Sequence, residues 1–459
     1  MEDSGPPSRL RRALKWVKIA LTALLPVLLG VMLWYALYAR SSRLAYEHEI
    51  AAIRAAGDPV TYEELAPPPL PEKANAGPLL IRAARELPGD DPSSKQWAVY
   101  KDACRGRETT REEWAAIYEE LLEPNAVCLE AVRKALQLPA ARFDLDYSTL
   151  AGMELPHLAM LSYQCQLLDM SARRAGDRGR PDQAISEIGN IMKLGKLLET
   201  EPIMISQLVR AYFYDVACRR YEAVLHAGGA SEKALLGAAR VLRECPNRAA
   251  FVMAVKGDRA LGASTFGTFL GACEGPPPQG FVTTAFQRGL RAPFHEGAAA
   301  YLRHAGRLIE ALGEPHLGAA PRLKQIDEEF DEEVKAAAGL LETGYLLAEL
   351  LRPPVRGLEE QDTQREAWMT VLRLACLVEV YRLRDGRRPA GLADLVPSLL
   401  GELPTDPFSG KGYIYRAKEG AEGYVIYSLG SNLTDDGGVP GPLEKGRRDF
   451  RKGNILFER

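Results

Sequence analysis

The chain has 459 residues, with 58 lysines and arginines against 61 aspartates and glutamates and a formal net charge of −3. Hydrophobic residues make up 46% and charged residues 26%, so composition excludes a collagenous, a wholly disordered and a polytopic membrane protein. The balanced charge also excludes the basic body of a general nucleic-acid binder, and we expect no nucleic-acid partner.

An uncharged apolar stretch, residues 19–39, predicts a transmembrane helix. At 1.5 Å per residue it spans about 30 Å, the thickness of the hydrocarbon core of a bilayer. A cleaved signal peptide is the alternative, but its apolar region is normally about 7–15 residues long, with small residues before the cut. Tyr35–Ala39 is a poor cleavage site, so we favour an uncleaved anchor.

The charges beside this stretch predict its orientation. Residues 1–18 form a basic tail with five lysines and arginines: Arg9, Arg11, Arg12, Lys15 and Lys18. Positive charge favours the cytoplasmic side of a membrane. We therefore expect a single-pass protein of the inner (cytoplasmic) membrane, with a cytoplasmic N-terminus and a periplasmic or otherwise extracytoplasmic body.

A helical body follows the anchor. Residues 40–78 predict a juxtamembrane helix, about residues 44–56, and a proline-rich semi-rigid spacer. Residues 79–352 carry apolar residues at helical spacing and no alternating runs, which predicts an all-α region. The glycine- and proline-rich segment 257–294 predicts a long loop within it.

Two architectures for this body stay open. Ala172–Asp177 and Asp182–Ile185 resemble the inner turn of a tetratricopeptide-type hairpin, where small residues let two helices approach closely. A 34-residue period does not recur, however, and this favours an irregular helical bundle over a regular hairpin array.

The C-terminal segment, residues 365–459, predicts a separate α+β domain. Ala367–Arg384 is apolar nearly all round, as in a helix buried on most sides. Gly412–Arg416 and Tyr424–Ser428 are aromatic and β-branched runs that predict a hairpin, and Ile455–Phe457 predicts a third strand.

Several short motifs in this segment carry a resemblance. In order they are Glu379-x-Tyr381, Asp385-Gly386-Arg387-x-Pro389, Leu392-x-x-Leu395-Val396-Pro397, Leu403-Pro404-x-Asp406-Pro407-Phe408, Tyr413-x-Tyr415 and Tyr424-x-Ile426-Tyr427-Ser428-Leu429-Gly430. Together they resemble the globular domain of the major pseudopilin of type II secretion. The resemblance implies a long helix on a small antiparallel sheet, a calcium-binding loop, and association with a type II secretion-like or other envelope assembly.

The N-terminus departs from that family. Lys18–Thr22 lacks both the glycine and the glutamate of the pseudopilin cleavage motif, so we expect neither leader processing nor pilus polymerisation. The rest of the chain resembles membrane-anchored bacterial proteins of unknown function. Asn75-Ala76, Arg142–Ser148 and Leu155–Leu158 look like their recurring blocks, and this resemblance implies no activity.

The calcium expectation concerns the loop Ser428–Gly438. Calcium takes 6–8 oxygen ligands, and Asn432, Asp435 and Asp436 offer amide and carboxylate oxygens within one turn. Asn432 and Asn454 stand where the resemblance leads us to expect acids, which implies weak binding. The alternative is an Asx-rich turn without metal.

Two classes of function remain. The chain contains no zinc, nucleotide-binding or serine-hydrolase motif. We therefore predict a non-enzymatic extracytoplasmic scaffold with protein partners in the cell envelope. The alternative is an exported hydrolase, which a polar pocket lined by His157, Asp144 or Asp146 would favour. The seven cysteines form no C-x-x-C pair, and we expect most of them to act as small hydrophobic residues.

Overall fold

The computed structural model describes residues 8–85, 95–149, 152–274, 281–337, 342–417, 423–444 and 447–459. The protein is 69% helical and 5% strand, with one long apolar N-terminal helix and a small C-terminal sheet. These features confirm the predicted mainly-α class.

Fourteen helices are defined in these ranges. They are α1 (Ser8–Ala55), α2 (Gly77–Arg85), α3 (Lys95–Cys104), α4 (Arg111–Ile117), α5 (Ala126–Ala135), α6 (Pro156–Asp177), α7 (Pro181–Lys196), α8 (Met204–Ala227), α9 (Glu232–Glu244), α10 (Arg248–Glu274), α11 (Phe281–Leu312), α12 (His316–Ala336), α13 (Glu342–Leu351) and α14 (Val355–Asp385). The strands are β1 (Ile414–Ala417), β2 (Tyr424–Ser428), β3 (Leu443–Glu444), β4 (Arg447–Arg448) and β5 (Ile455–Glu458).

Local sequence explains several helix ends. Thr110 and Glu113 form a reciprocal capping box that begins α4, and the Ser231 hydroxyl accepts from the Ala234 amide to begin α9. The helix α14 ends at Gly386, whose φ of 69° lies in the left-handed region that glycine adopts at little cost.

The described chain forms two compact units. The first comprises Met1–Val60, Gly262–His304 and Glu328–Arg352. It thus contains α1, α13 and parts of α10, α11 and α12, around a core that includes Phe266, Tyr301, Phe330 and Tyr345. The predicted helices at 19–39 and 44–56 are both helical, but they belong to one element, because α1 runs unbroken through both. It is apolar and long enough to cross a membrane.

The predicted loop at 257–294 is also wrong. Most of it belongs to α10 and α11. Its small residues allow close packing: a Cβ added at Gly257 would lie 1.9 Å from the backbone of Pro202, and one at Gly262 would lie 2.2 Å from the ring of Tyr301. Here the glycines allow close contact with other segments and do not end a helix. Composition alone does not distinguish these two roles of glycine.

The second unit comprises Thr61–Leu261, Ala305–Asp327 and Pro353–Arg459. Its central layer is α6, α7, α8 and α9, joined in sequence by short turns, with α14 packed on α8 and α9. Large side chains from all of these helices fill one continuous core, for example Leu161, Ile188, Phe213, Leu242 and Leu372. Among the described residues, the helical layer and α14 therefore share one hydrophobic core.

A three-stranded antiparallel sheet, ordered β1-β2-β5, packs on α14. Ile414 pairs with Tyr427, and Ile426 pairs with Phe457, so the three predicted strands lie close to the observed ones. The side chain of Phe457 is fully buried. A domain boundary at residue 365 stays a prediction, because α14 shares its core with α8 and α9 as well as with the sheet.

Candidate functional site

The loop Ser428–Gly438 is closed by the protein's own hydrogen bonds. Asp435 Oδ1 accepts from the Tyr427 hydroxyl at 2.7 Å and from the Gly437 amide at 3.0 Å, and Oδ2 accepts from Arg416 at 2.7 Å. These contacts, with that from Tyr427 the strongest, lower the pKa of the exposed Asp435 carboxyl. The carboxylate is thus held charged while most of its acceptor capacity is used.

The side chain of Asn454 is hydrogen-bonded to the backbone of the same loop. Its side chain is fully buried, and its Nδ2 donates to the carbonyl oxygens of Thr434 at 2.8 Å and Leu429 at 3.2 Å. Its Oδ1 accepts from the Gly438 amide at 3.1 Å. The amide group therefore joins two carbonyl oxygens that would otherwise be available as cation ligands.

The remaining proposed ligands face each other on the surface. Asn432 Nδ2 donates to Asp436 Oδ2 at 3.1 Å, and both side chains are exposed. In the part of the chain that the structure describes, no three His, Cys, Asp or Glu side chains are grouped to hold a metal ion. Calcium at Asn432, Asp435 and Asp436 stays a prediction, and an ion there would have to displace Arg416 or the Asn454 amide.

His157 is buried in a structural cluster. It lies 3.1 Å from Glu201 Oε2, which also accepts from Ser206 Oγ at 2.5 Å, and it stacks on Phe143 at a centroid distance of 4.4 Å. A Ser-His-acid triad requires the imidazole between the hydroxyl and the carboxylate. Here the carboxylate lies between them, so His157 is not placed to activate Ser206.

The two aspartates considered with His157 lie elsewhere on the surface. Asp144 and Asp146 are both exposed, and Asp146 Oδ1 accepts from the amide and the hydroxyl of Ser148 at 2.9 and 2.6 Å. That is an Asx turn, in which these hydrogen bonds lower the pKa of the Asp146 carboxyl. Neither aspartate is hydrogen-bonded to His157 in the described structure.

Two of the sequence blocks, Asn75-Ala76 and Arg142–Ser148, meet in space. Asn75 Oδ1 accepts from the amides of Arg142 at 2.7 Å and Gly77 at 3.0 Å, and its Nδ2 donates to the Arg142 carbonyl at 3.2 Å. The next residue, Phe143, is the one that stacks on His157. These blocks thus tie the proline-rich spacer to the start of α6.

A second candidate site is a groove in the helical layer, which is more open than the loop Ser428–Gly438. It has a volume of about 590 Å³ and lies between α5, α7 and α9, with one residue of α8 at its floor. We call it the α7–α9 groove. Its main lining residues are Arg133, Asp182, Glu187, Gly189, Asn190, Lys193, Tyr221, Lys233, Ala234, Gly237 and Ala238.

The floor of this groove is Tyr221. Its side chain is 1% exposed, and its hydroxyl has no hydrogen-bond partner in the described structure. Burial raises the pKa of Tyr221, so the hydroxyl is a donor at neutral pH. A Cβ at Gly189 would come within 3.9 Å of that hydroxyl, an ordinary van der Waals contact, and the hydroxyl oxygen itself has almost no accessible surface. A buried hydroxyl without a partner costs about 1–3 kcal/mol, which a ligand acceptor would recover.

Some charged side chains at the groove have partners and others do not. Glu187 is 4% exposed, and it accepts from Arg133 and from Ser171 Oγ at 3.1 Å. Asp182 Oδ1 accepts from the Ser231 amide at 2.8 Å. Two exposed lysines, Lys193 and Lys233, have no ion pair with any residue that the structure describes. The groove therefore offers unpaired positive charge.

Sequence reasoning missed the groove. Its signal was the run of small residues on two amphipathic helices, Gly189 on α7 and Ala234, Gly237 and Ala238 on α9. Small residues of this kind are usual at tight helix contacts as well as at clefts, so only the packing of α5, α7 and α9 reveals which applies.

The sequence matches no protein-family model, no curated protein and no solved structure. The resemblances to the pseudopilin domain and to membrane-anchored bacterial proteins thus stay predictions, and the functional argument depends on the geometry of the chain itself.

Proposed function

We propose that this protein is a membrane-anchored extracytoplasmic adaptor that binds an acidic segment of a partner protein in the α7–α9 groove. The observation that carries the proposal is the groove itself, a cavity of about 590 Å³ lined by the buried Tyr221 and by two exposed lysines, Lys193 and Lys233, without ion pairs among the described residues. The Tyr221 hydroxyl is one of several buried polar atoms without a hydrogen-bond partner in the described structure, and its residue lines the groove.

The groove matches such a ligand in size and chemistry. A cavity of about 590 Å³ lies in the usual range for sites that enclose a ligand and accommodates several side chains of a peptide. Carboxylates pair with lysines at the rim, where the interaction sets specificity and association rate more than affinity. The Tyr221 hydroxyl is closed off from solvent in this structure, so in the bound state the lining side chains shift to let a ligand carboxylate or carbonyl oxygen accept the hydrogen bond from it.

The rest of the chain supports an adaptor at the envelope. The apolar helix α1 supplies the anchor, and the basic tail before residue 19 favours a cytoplasmic N-terminus and a periplasmic body at the inner membrane. The pseudopilin-like segment 365–459 is proposed to dock the protein to a type II secretion-like or other envelope assembly. The exported hydrolase remains the alternative, but in the described structure Ser206 and His157 are not arranged for catalysis.

Selection of peptides on the intact protein tests the proposal. Full-length protein in detergent is used to enrich a displayed library of random 12-residue peptides, and affinities of the enriched peptides are measured by fluorescence anisotropy. We expect aspartate- and glutamate-rich peptides whose affinity falls at least tenfold in the double variant Lys193→Glu, Lys233→Glu.

A matched control separates the groove from net charge. Lys95 and Lys101 are exposed lysines on α3, and the variant Lys95→Glu, Lys101→Glu changes the net charge by the same amount. It should bind the peptides like the unmodified protein. Enrichment without acidic residues, or an equal loss of affinity in both double variants, would overturn the proposal.

A further inference from the structure

The membrane helix α1 is paired with a second helix at its outer end. The Tyr35 hydroxyl donates to the Gly289 carbonyl at 3.0 Å, and the Tyr38 hydroxyl donates to Glu296 at 2.5 Å. Both tyrosines lie inside the apolar span 19–39, whereas Gly289 and Glu296 belong to α11. Part of α11 therefore lies at the depth of the outer end of the span.

These two contacts also give the direction of α11. A step forward along α1, from Tyr35 to Tyr38, corresponds to a step forward along α11, from Gly289 to Glu296. The two helices are thus parallel, and the first residues of α11 extend from Gly289 toward the middle of the apolar span. At 1.5 Å per residue, the beginning of α11 at Phe281 lies roughly 12 Å deeper than Gly289.

The end of α10 packs beside α11. Phe266 lies 6.0 Å from Tyr301 and Phe269 lies 5.5 Å from Phe294, measured between ring centroids, so α10 is antiparallel to α11. Phe269 is thereby at the level of Phe294, close to the outer end of the span. The helix continues beyond it to Glu274, away from the C-terminal end of α1.

The sequence at the end of α10 and the start of α11 is typical of a segment in a membrane. Glu274 is the single charged residue in the sequence between Arg259 and Arg288. The side chain of Phe269 is 43% exposed, and its neighbours Gly267, Thr268, Gly271 and Ala272 are exposed as well. An uncharged, exposed helix end that continues the apolar surface of a membrane span is typical of a segment in contact with lipid.

We propose that the end of α10 and the start of α11 form a second membrane element, which inserts beside α1 into the outer part of the bilayer. Phe269 lies at the headgroup level, where aromatic rings are favoured. The anchor is then a helical wedge instead of a lone helix, and this fixes the tilt of the extracytoplasmic unit that carries it.

Photocrosslinking to lipid tests this proposal on the full chain in proteoliposomes of phosphatidylethanolamine and phosphatidylglycerol. The photoreactive amino acid p-benzoylphenylalanine replaces Phe269 in one variant and Thr268 in a second, in case the first disturbs packing against Phe294. Mass spectrometry then identifies the adducts after illumination. We expect lipid adducts at both positions.

Two reference positions make the result decisive. The same replacement at Leu29, 56% exposed within the apolar span, should give lipid adducts whenever the anchor is inserted. At Val127, 66% exposed on α5, it should give none. Adducts at position 29 with none at positions 268 and 269, or adducts there with another polypeptide, would overturn the second membrane element without affecting the adaptor proposal.

Discussion

The guanidinium group of Arg220 on α8 makes two parallel hydrogen bonds to the carboxylate of Asp169 on α6, at 2.8 and 2.9 Å. The Tyr100 hydroxyl donates to the same carboxylate at 3.0 Å, and Asp169 is only 1% exposed. One buried carboxylate thus joins α3, α6 and α8, and its charge is matched in place by a bidentate partner.

Replacement of Asp169 should therefore destabilise the helical layer strongly. Asp169→Ala leaves the Arg220 charge without its main partner and should lower the free energy of unfolding by about 3–5 kcal/mol, measured by urea denaturation. The double variant Asp169→Leu, Arg220→Met removes both charges and should recover part of that loss. A double variant no more stable than Asp169→Ala would contradict this account.

Tyr221→Phe should separate binding from stability. Because the Tyr221 hydroxyl has no partner in the described structure, its removal should leave the melting temperature unchanged or raise it. The same change should weaken the binding of acidic peptides, because the buried hydrogen bond from Tyr221 to the peptide is lost. Tyr100→Phe is the contrasting variant: it removes a donor from Asp169 and should lower stability by about 1 kcal/mol. A marked destabilisation by Tyr221→Phe would show that the hydroxyl has a structural role.

Stability should depend on pH through Asp258. Burial raises the pKa of this carboxyl from 3.8 to about 7. Between these values Asp258 binds more protons in the folded state than in the unfolded state, so its own contribution to stability is largest below about pH 4 and is lost as the pH rises to 7, by up to about 1.4 kcal/mol per pH unit. Asp258→Asn should flatten this slope in denaturation curves between pH 5 and 8. An unchanged slope would exclude Asp258 as its source.

Calcium binding to the loop Ser428–Gly438 should appear as a rise in melting temperature. With Kd near 10⁻³ M, 10 mM calcium should stabilise the protein by about 1.4 kcal/mol, and magnesium should do so poorly. The variant Asp435→Ala, Asp436→Ala should lose the rise, whereas Asn454→Asp should increase it by adding a charged ligand. Equal melting curves for the unmodified protein with and without calcium would show that the loop is only a turn.

The proposed membrane anchor and its proposed orientation predict the result of protease digestion. Digestion of spheroplasts from the outside should remove the extracytoplasmic body and leave a fragment that contains the basic tail and the span 19–39. The matched sample is permeabilised, so that the tail is digested too. A body protected in intact spheroplasts, or a mature N-terminus near residue 40, would contradict an uncleaved anchor with a cytoplasmic N-terminus.

The features that sequence alone determined are those that local chemistry fixes. The apolar length of residues 19–39 is sufficient for a span whatever the rest of the chain does, and aromatic, β-branched runs such as Tyr424–Ser428 favour strands on their own. The capping residues Thr110 and Ser231 act on helix ends within one turn. Such interactions involve neighbours in the chain, so their outcome can be read from order and spacing.

Tertiary structure decided everything that depends on partners distant in the chain. Gly257 and Gly262 belong to a segment whose composition suggested a loop, but they lie inside α10, where Pro202 and Tyr301 approach them closely. Likewise, nothing near Tyr221 in the sequence shows that this residue lines a groove beside α7 and α9, with a buried hydroxyl that has no acceptor in the described structure. Close packing and buried hydrogen bonds are properties of two surfaces together, and one segment of sequence specifies only one of them.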